Sequence, residues 1–259
     1  MTTLTIGDAT VGYATEGEGA PLLLLHGTTM DRTAWDMVRA GLPAEYEFVA
    51  VDFPGSGESS MPTAPLEVDD LVQQSLAVMS HLGHERFHVA GYSLGAVIAL
   101  ALAGTAPERV RSVTSLCGWA TTDARMRFTF GLWRELIRTD PALFMRYAVA
   151  DGFTAATIAA LEPMLEGIVA AGGAALAPGS DAHLDLDHRV DIDGLITSIT
   201  APTLLIAGAE DRWVDASHSQ AIAPRIPGAQ LVILPAGHLV IQEGAAAVAE
   251  LLHGHASVA

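Results

Sequence analysis

Ser93 lies at the centre of Gly91-Tyr92-Ser93-Leu94-Gly95, a G-x-S-x-G pattern that can present a nucleophilic hydroxyl on a sharp turn. The residues before it, Phe87-His88-Val89-Ala90, read as a short strand. Those after it, Ala96-Val97-Ile98-Ala99-Leu100-Ala101-Leu102-Ala103, read as a helix. This strand–turn–helix setting gives the pattern its meaning, because the turn leaves room only for small residues two positions to either side. Both positions are glycine. A serine hydroxyl is a weak nucleophile at its own pKa, so it needs a base within hydrogen-bond reach and a group that orients that base.

Both partners follow in the chain. Ala201-Pro202-Thr203-Leu204-Leu205-Ile206-Ala207-Gly208 reads as a buried strand ending in a glycine turn, with Asp211 just beyond it. Leu231-Val232-Ile233-Leu234-Pro235-Ala236-Gly237-His238 is a second strand that ends on a histidine. Asp215 shares a loop with Asp211 and is its rival as the orienting acid. Upstream, Pro21-Leu22-Leu23-Leu24-Leu25 is apolar at every position, as in a strand buried on both faces, and runs into His26-Gly27-Thr28-Thr29. A loop there can supply a backbone amide to an oxyanion. Ser, then Asp, then His is the triad order of α/β-hydrolases; chymotrypsin-like and subtilisin-like enzymes use other orders.

With these four segments in register, the chain resembles the α/β-hydrolase-fold superfamily over nearly its whole length. Val51-Asp52-Phe53-Pro54-Gly55-Ser56-Gly57-Glu58-Ser59 is similar to that family's D-x-R-G-x-G-x-S loop, with Pro54 in place of the usual Arg. Ala96 stands where many members have Gly. The resemblance implies a serine hydrolase with Ser93 as nucleophile, His238 as base and Asp211 as orienter. The family pattern of apolar strand, Gly, two residues and then Asp favours Asp211 over Asp215. It also implies an oxyanion hole built from the main-chain N–H groups of Leu94 and Thr28. Haloalkane dehalogenases and epoxide hydrolases resemble the fold but use Asp as nucleophile, and Ser93 argues against both.

The remaining titratable groups have plainer readings. His26 is expected to brace its loop. Cys117 is the single cysteine, so no internal disulfide forms, and it reads as a small buried apolar residue. His183, Asp185, Asp187 and His188 include metal-ligand types but lack a helical His-x-x-x-His pair with a third partner, so they are expected on a solvated acidic loop. His81, His84 and His88 read as helix-end and strand-edge residues, and His253 and His255 as a frayed tail. No metal and no cofactor is expected. The chain has no Lys for a phosphate-binding loop, and it has no dinucleotide fingerprint.

All thirteen basic residues are Arg, and Asn is absent as well, a usage that fits a GC-rich bacterial genome. The formal net charge of −17 repels nucleic-acid backbones and anionic membrane surfaces, so neither is an expected partner. No uninterrupted apolar run approaches a membrane span and the N-terminus lacks a signal pattern, so a soluble cytoplasmic protein is expected. The expected partner is a small-molecule substrate, with the oligomeric state left open.

Strands alternate with helices in residues 1–118 and again in 195–259, which implies a mostly parallel α/β sheet of about eight strands flanked by helices. An edge hairpin is expected at 3–14, strands at 22–26, 46–51, 87–91, 110–116, 203–207 and 230–234, and helices at 32–41, 66–82, 94–104, 216–224 and 240–253. Residues 119–194 break the alternation and read as an inserted helical cap, with helices at 123–138, 141–150, 154–171 and 190–197 and a loop at 172–180. Thr29, Met30, Trp119, Phe128, Leu132 and Leu239 are the candidate lining of an apolar substrate pocket. Leu116-Cys117-Gly118-Trp119 before a helical cap is similar to small bacterial hydrolases of enol-lactones or aminoacrylate-type metabolites. The expected activity is cleavage of a carboxylic ester, lactone or thioester through a Ser93 acyl-enzyme. C–C bond hydrolysis, perhydrolysis or a cofactor-free lyase step on the same triad, and a non-enzymatic ligand receptor, are the alternatives.

Overall fold

Leu22, Leu23, Leu24 and Leu25 are all fully buried, although successive strand residues point to opposite faces. Such a strand must have cover on both sides. The computed structural model, which describes residues 2–258, shows where the cover comes from. A hairpin of β1 (Thr2–Ile6) and β2 (Ala9–Glu16) opens the chain, and β3 (Ala20–Leu25), β4 (Tyr46–Val51), β5 (Phe87–Tyr92), β6 (Val110–Leu116), β7 (Thr203–Gly208) and β8 (Gln230–Leu234) follow. They form one sheet in the order β1-β2-β4-β3-β5-β6-β7-β8. The β1–β2 and β2–β4 pairings are antiparallel, and those from β4 through β8 are parallel.

The pleat divides the core in two. Leu23, Leu25, Val49, Val89, Val113 and Leu205 face one apolar cluster, whereas Leu22, Leu24, Ala50, Ala90, Leu204 and Ile206 face the other. A 3-10 turn (Arg32–Trp35) leads into the short α1 (Asp36–Arg39), so the expected helix at 32–41 is a tighter, broken one. Next come α2 (Val68–His81) and α3 (Leu94–Thr105). Every residue of α3 from Leu94 to Ala103 is buried, which is why it reads as apolar all round and not as an amphipathic stripe.

Between β6 and β7 lie α4 (Ala124–Thr139), α5 (Pro141–Gly152), α6 (Ala155–Leu161), α7 (Leu165–Ala174), α8 (Ser180–Arg189) and α9 (Asp193–Ile196). Asp123, Asp140 and Thr154 cap the first three of these through side-chain oxygens that accept backbone N–H groups. The expected helix at 154–171 is split by a 3-10 turn at Glu162–Met164, where Pro163 denies the helix a backbone donor. Helix α9 is shorter than the expected 190–197. The run Ala155–Ala174 is long and apolar enough to cross a membrane by length and composition alone. The 3-10 turn interrupts this run, which also carries Glu162 and Glu166. Helices α10 (Ser217–Ile222), α11 (Val240–Glu243) and α12 (Ala245–Ala256) complete the chain.

Several histidines sit elsewhere than expected. His88 lies inside central β5, buried, with Nδ1 2.8 Å from Ser112 Oγ of β6. His255 belongs to α12 rather than to a frayed tail, and its Nε2 lies 3.2 Å from Pro202 O. The expected acidic loop at 181–188 is helix α8, with Ser180, His183, Leu184 and Asp187 buried along one side. Their i, i+3, i+4, i+7 spacing is that of a core-facing stripe, but two of its members are titratable, so polarity disguised it.

Burial also separates α4 into two faces. Met126, Phe130 and Trp133 are buried, whereas Phe128 is 82% exposed and Leu132 42%. The Ile98→Ala variant of α3 is therefore expected to lose about 2–5 kcal/mol in urea denaturation. Phe128→Ser should stay within about 0.5 kcal/mol of the parent.

Candidate active site

Strands β3, β5, β6, β7 and β8 run parallel, so their C-terminal ends share one edge of the sheet, and the loops that leave it converge. Ser93 follows β5 there, with φ +55° and ψ −117°, a conformation L-residues rarely adopt. Its cause lies in its neighbours. A Cβ on Gly91 would sit 2.0 Å from Gly95 O, and a Cβ on Gly95 would sit 2.2 Å from Leu25 O. Only two glycines let β5 turn this tightly into α3 beneath β3. The turn leaves Ser93 buried in the loops but facing a cavity.

Ser93 Oγ is 3.0 Å from His238 Nε2, and His238 Nδ1 is 2.7 Å from Asp211 Oδ2. A carboxylate only accepts, so Nδ1 carries the proton and Nε2 offers its lone pair to the serine hydroxyl. Asp211 is fixed in turn, because its Oδ1 accepts the backbone N–H groups of Trp213 and Val214 at 2.9 Å each. Asp215 takes no part. Its Oδ1 accepts the backbone N–H of Ser217 at the start of α10. The structure thus brings Ser93, His238 and Asp211 into one line and leaves Asp215 outside it.

The loop that carries His238 is held from three sides. Tyr92 donates its hydroxyl to His238 O, and the Trp213 ring packs 4.8 Å from the imidazole centroid. Leu239 N–H donates to Gly152 O at the end of α5. Glu243 of α11 accepts the Gly237 N–H at 2.7 Å through one carboxylate oxygen, and through the other accepts the Thr154 N–H and the hydroxyls of Thr154 and Thr157. Sequence reasoning missed Glu243, since its partners come from a distant helix start and from the histidine loop. Burial alone would raise its pKa, but these four donors outweigh burial and lower it.

On the other side of Ser93 stands the β3 loop. His26 Nδ1–H donates to Gly27 O, and His26 Nε2 accepts the Phe53 N–H. Burial lowers the pKa of His26 to about 4, so it is neutral and serves as a brace. Leu94 is the first residue of α3, where backbone N–H groups have no partner within the helix. Thr28 and Thr29 border the same cavity as Ser93. Cys117 is buried at the end of β6 with φ +52°, and its Sγ lies 3.7 Å from His238 O. Its sulfur, Asp211 and His238 fall within 4.8 Å of one another. Burial drives the thiol pKa well up, and Asp211 and His238 are already paired with each other.

The cavity measures about 350 Å³. Trp133 of α4, Phe144, Ala148 and Val149 of α5 and Ile168 of α7 line it, with Trp213 and Leu239 from the core loops and Gln242 of α11. Thr29, Met30 and Leu239 border it as expected from the sequence. Trp119, Phe128 and Leu132 do not. Trp119 is wholly buried and donates its indole N–H to Thr122, and Phe128 and Leu132 lie on the outer face of α4. No charged side chain borders the cavity among the described residues.

A family model described as the alpha/beta hydrolase fold matches residues 20–245, and the chain belongs to that family. It is 31% identical over 245 residues to a pyrrolizixenacetamide deacetylase of Xenorhabdus hominickii, covering 92% of this chain and 91% of that protein. A hydrolase of known structure from Pseudomonas aeruginosa is 27% identical, with a TM-score of 0.86 and 98% and 97% of the two chains covered. The enol-lactonase of Burkholderia xenovorans shares the fold, with a TM-score of 0.88 at 21% identity and 99% and 100% coverage. The chain is a hydrolase of this fold.

Glu243→Gln should lower the melting temperature at neutral pH, at a cost of about 1–3 kcal/mol, because an amide nitrogen then meets either the Gly237 N–H or the Thr154 donors. The Glu243 carboxyl has a depressed folded pKa, so the stability it adds is present above its ordinary value and is lost as pH falls through the folded one. Thermal scans from pH 7 to pH 3 should therefore show the parent and the variant converging at the acid end.

Proposed function

We propose that the protein is a serine hydrolase that cleaves a carboxylic ester, lactone or thioester of a neutral, largely apolar small molecule. The line of Asp211, His238 and Ser93, joined at 2.7 Å and 3.0 Å, carries this reading. His238 Nε2 takes the proton from Ser93 Oγ as the oxygen attacks the substrate carbonyl, and Asp211 stabilises the imidazolium that forms. The N–H groups of Leu94 and Thr28 face the developing oxyanion, where fixed donors in a dry site are worth the most. His238 then protonates the leaving group, and water enters to hydrolyse the Ser93 acyl-enzyme by the same steps in reverse.

The lining of the cavity favours the substrate class. It has apolar walls, a few neutral polar groups and no charge to pair with an ionised substrate. The relative from Xenorhabdus is named a deacetylase, which is acyl transfer to water and fits the same sequence of steps. The residues that meet the substrate away from the carbonyl come largely from α4, α5 and α7, so these helices are where chain length is selected.

A serine-directed fluorophosphonate should add one equivalent of mass to the native protein and none to Ser93→Ala. Asp211→Asn should lower kcat by about three to four orders of magnitude without unfolding the protein, whereas Asp215→Asn costs far less. Undiminished labelling of Ser93→Ala, or a reversal of the two aspartate effects, would overturn the reading.

A further inference from the structure

Asp187 is a carboxyl without access to solvent, and the reaction just described does not use it. It lies on α8, in the helical segment between β6 and β7, 159 residues from the group it meets. That group is the Thr28 hydroxyl, which donates to Asp187 Oδ2 at 2.7 Å. Asp187 Oδ1 has no partner. A buried carboxyl group with one hydrogen-bond partner and one orphaned oxygen is a costly arrangement, and replacement by an apolar pair of the same shape would remove that cost.

What it touches is the loop that flanks the attacked carbonyl. Thr28 sits between Gly27, whose Cβ position would be 3.2 Å from Ser93 Cβ, and Thr29, which holds φ +68°. A non-glycine residue at that φ keeps it only if its surroundings hold it there. Helix α8 and the turn before it supply that hold. Ala177 N–H donates to Thr29 O at 3.1 Å, and Gly179 N–H donates to Gly55 O at 2.8 Å. His183 Nε2 lies 2.9 Å from Pro54 O, and its ring packs on His26 and Phe53. A histidine from the helices between β6 and β7 thus reaches the loop that carries Pro54. The link between Asp187 and Thr28 is the one tie in this set that grips the residue whose N–H faces the oxyanion.

We propose that Asp187 is a positioning residue for the oxyanion loop: through the Thr28 hydroxyl it fixes the direction of the Thr28 N–H, so α8 takes part in transition-state stabilisation. This rests on the assignment of Thr28 N–H as an oxyanion donor. Burial raises the Asp187 pKa to about 8, so the group is a neutral acid at pH 7 and an amide can stand in for it. An effect of this kind falls on kcat, because the oxyanion exists only in the transition state and intermediate.

The test compares Asp187→Leu, Thr28→Val, their double variant and Asp187→Asn on a nitrophenyl ester, with melting temperatures measured alongside. Asp187→Leu and Thr28→Val should each lower kcat about ten- to a hundredfold, short of the loss of a whole donor, with KM within about twofold. Asp187→Asn should recover most of the parent kcat. The double variant should lose no more than the worse single one, because both cut the same link. A folded Asp187→Leu with parental kcat, single losses that multiply, or a loss confined to KM would overturn the proposal. Should Asp187→Leu fail to fold, the contrast between Thr28→Val and Asp187→Asn decides the matter in the same way. Labelling of Ser93 by fluorophosphonate in the parent tests the hydrolase reading separately, so failure of one does not pass for failure of the other.

Discussion

Everything at this site depends on how closely the backbone of β3 can approach the turn between β5 and α3. Gly95 lies against Leu25 O and His26 O, and Gly91 against Gly95 O. A methyl group at either position would push α3 away from the sheet and relax Ser93 from its positive φ. The strain is local, and the cost of holding it is spread over a helix buried from Leu94 to Ala103. That explains an otherwise odd feature, a central helix with no polar face. The helix is as much a buttress as a core element.

Among the described residues, the other two non-glycine residues with positive φ, Thr29 and Cys117, follow β3 and β6, the strands on either side of β5. All three therefore sit at one sheet edge, Thr29 and Ser93 on the cavity and Cys117 against the backbone of His238. Unusual backbone collects where function needs it and persists because its neighbours hold it. Here those neighbours are loop ties: Tyr92 and Glu243 on the His238 side, and His26 and the turn before α8 on the Thr28–Thr29 side. The Asp211 carboxylate is also held by main chain, through Trp213 and Val214. Each of these ties has a main-chain group as at least one partner. A site built in this way loses little conformational entropy when the reaction begins.

Much of this was legible in the sequence, for physical reasons. Strands covered on both faces appear as unbroken apolar runs, as at Leu22–Leu25 and Leu204–Ile206. The residues with chemistry follow those runs directly, marked by glycines that a tight turn requires. What escaped depends on distant pairing. Asp187 and His183 look like part of a solvated acidic stretch, since nothing local reveals that Thr28 and Pro54 await them. Glu243 looks like an ordinary helix residue until the Thr154 cap and Gly237 are brought to it. Helix α4 carries large apolar residues on both faces, so spacing alone does not show that Phe128 and Leu132 face away from the core.

The central claim is that hydrolysis passes through an ester of Ser93, and the intermediate itself is the most direct witness. Rapid quenching of the enzyme during turnover of a slowly deacylated nitrophenyl ester, followed by intact and peptide mass analysis, tests it. The account predicts a burst of nitrophenol equal to the enzyme present, and a single acyl group on the peptide that contains Ser93. Steady hydrolysis with no burst and no acyl group on Ser93 would contradict it.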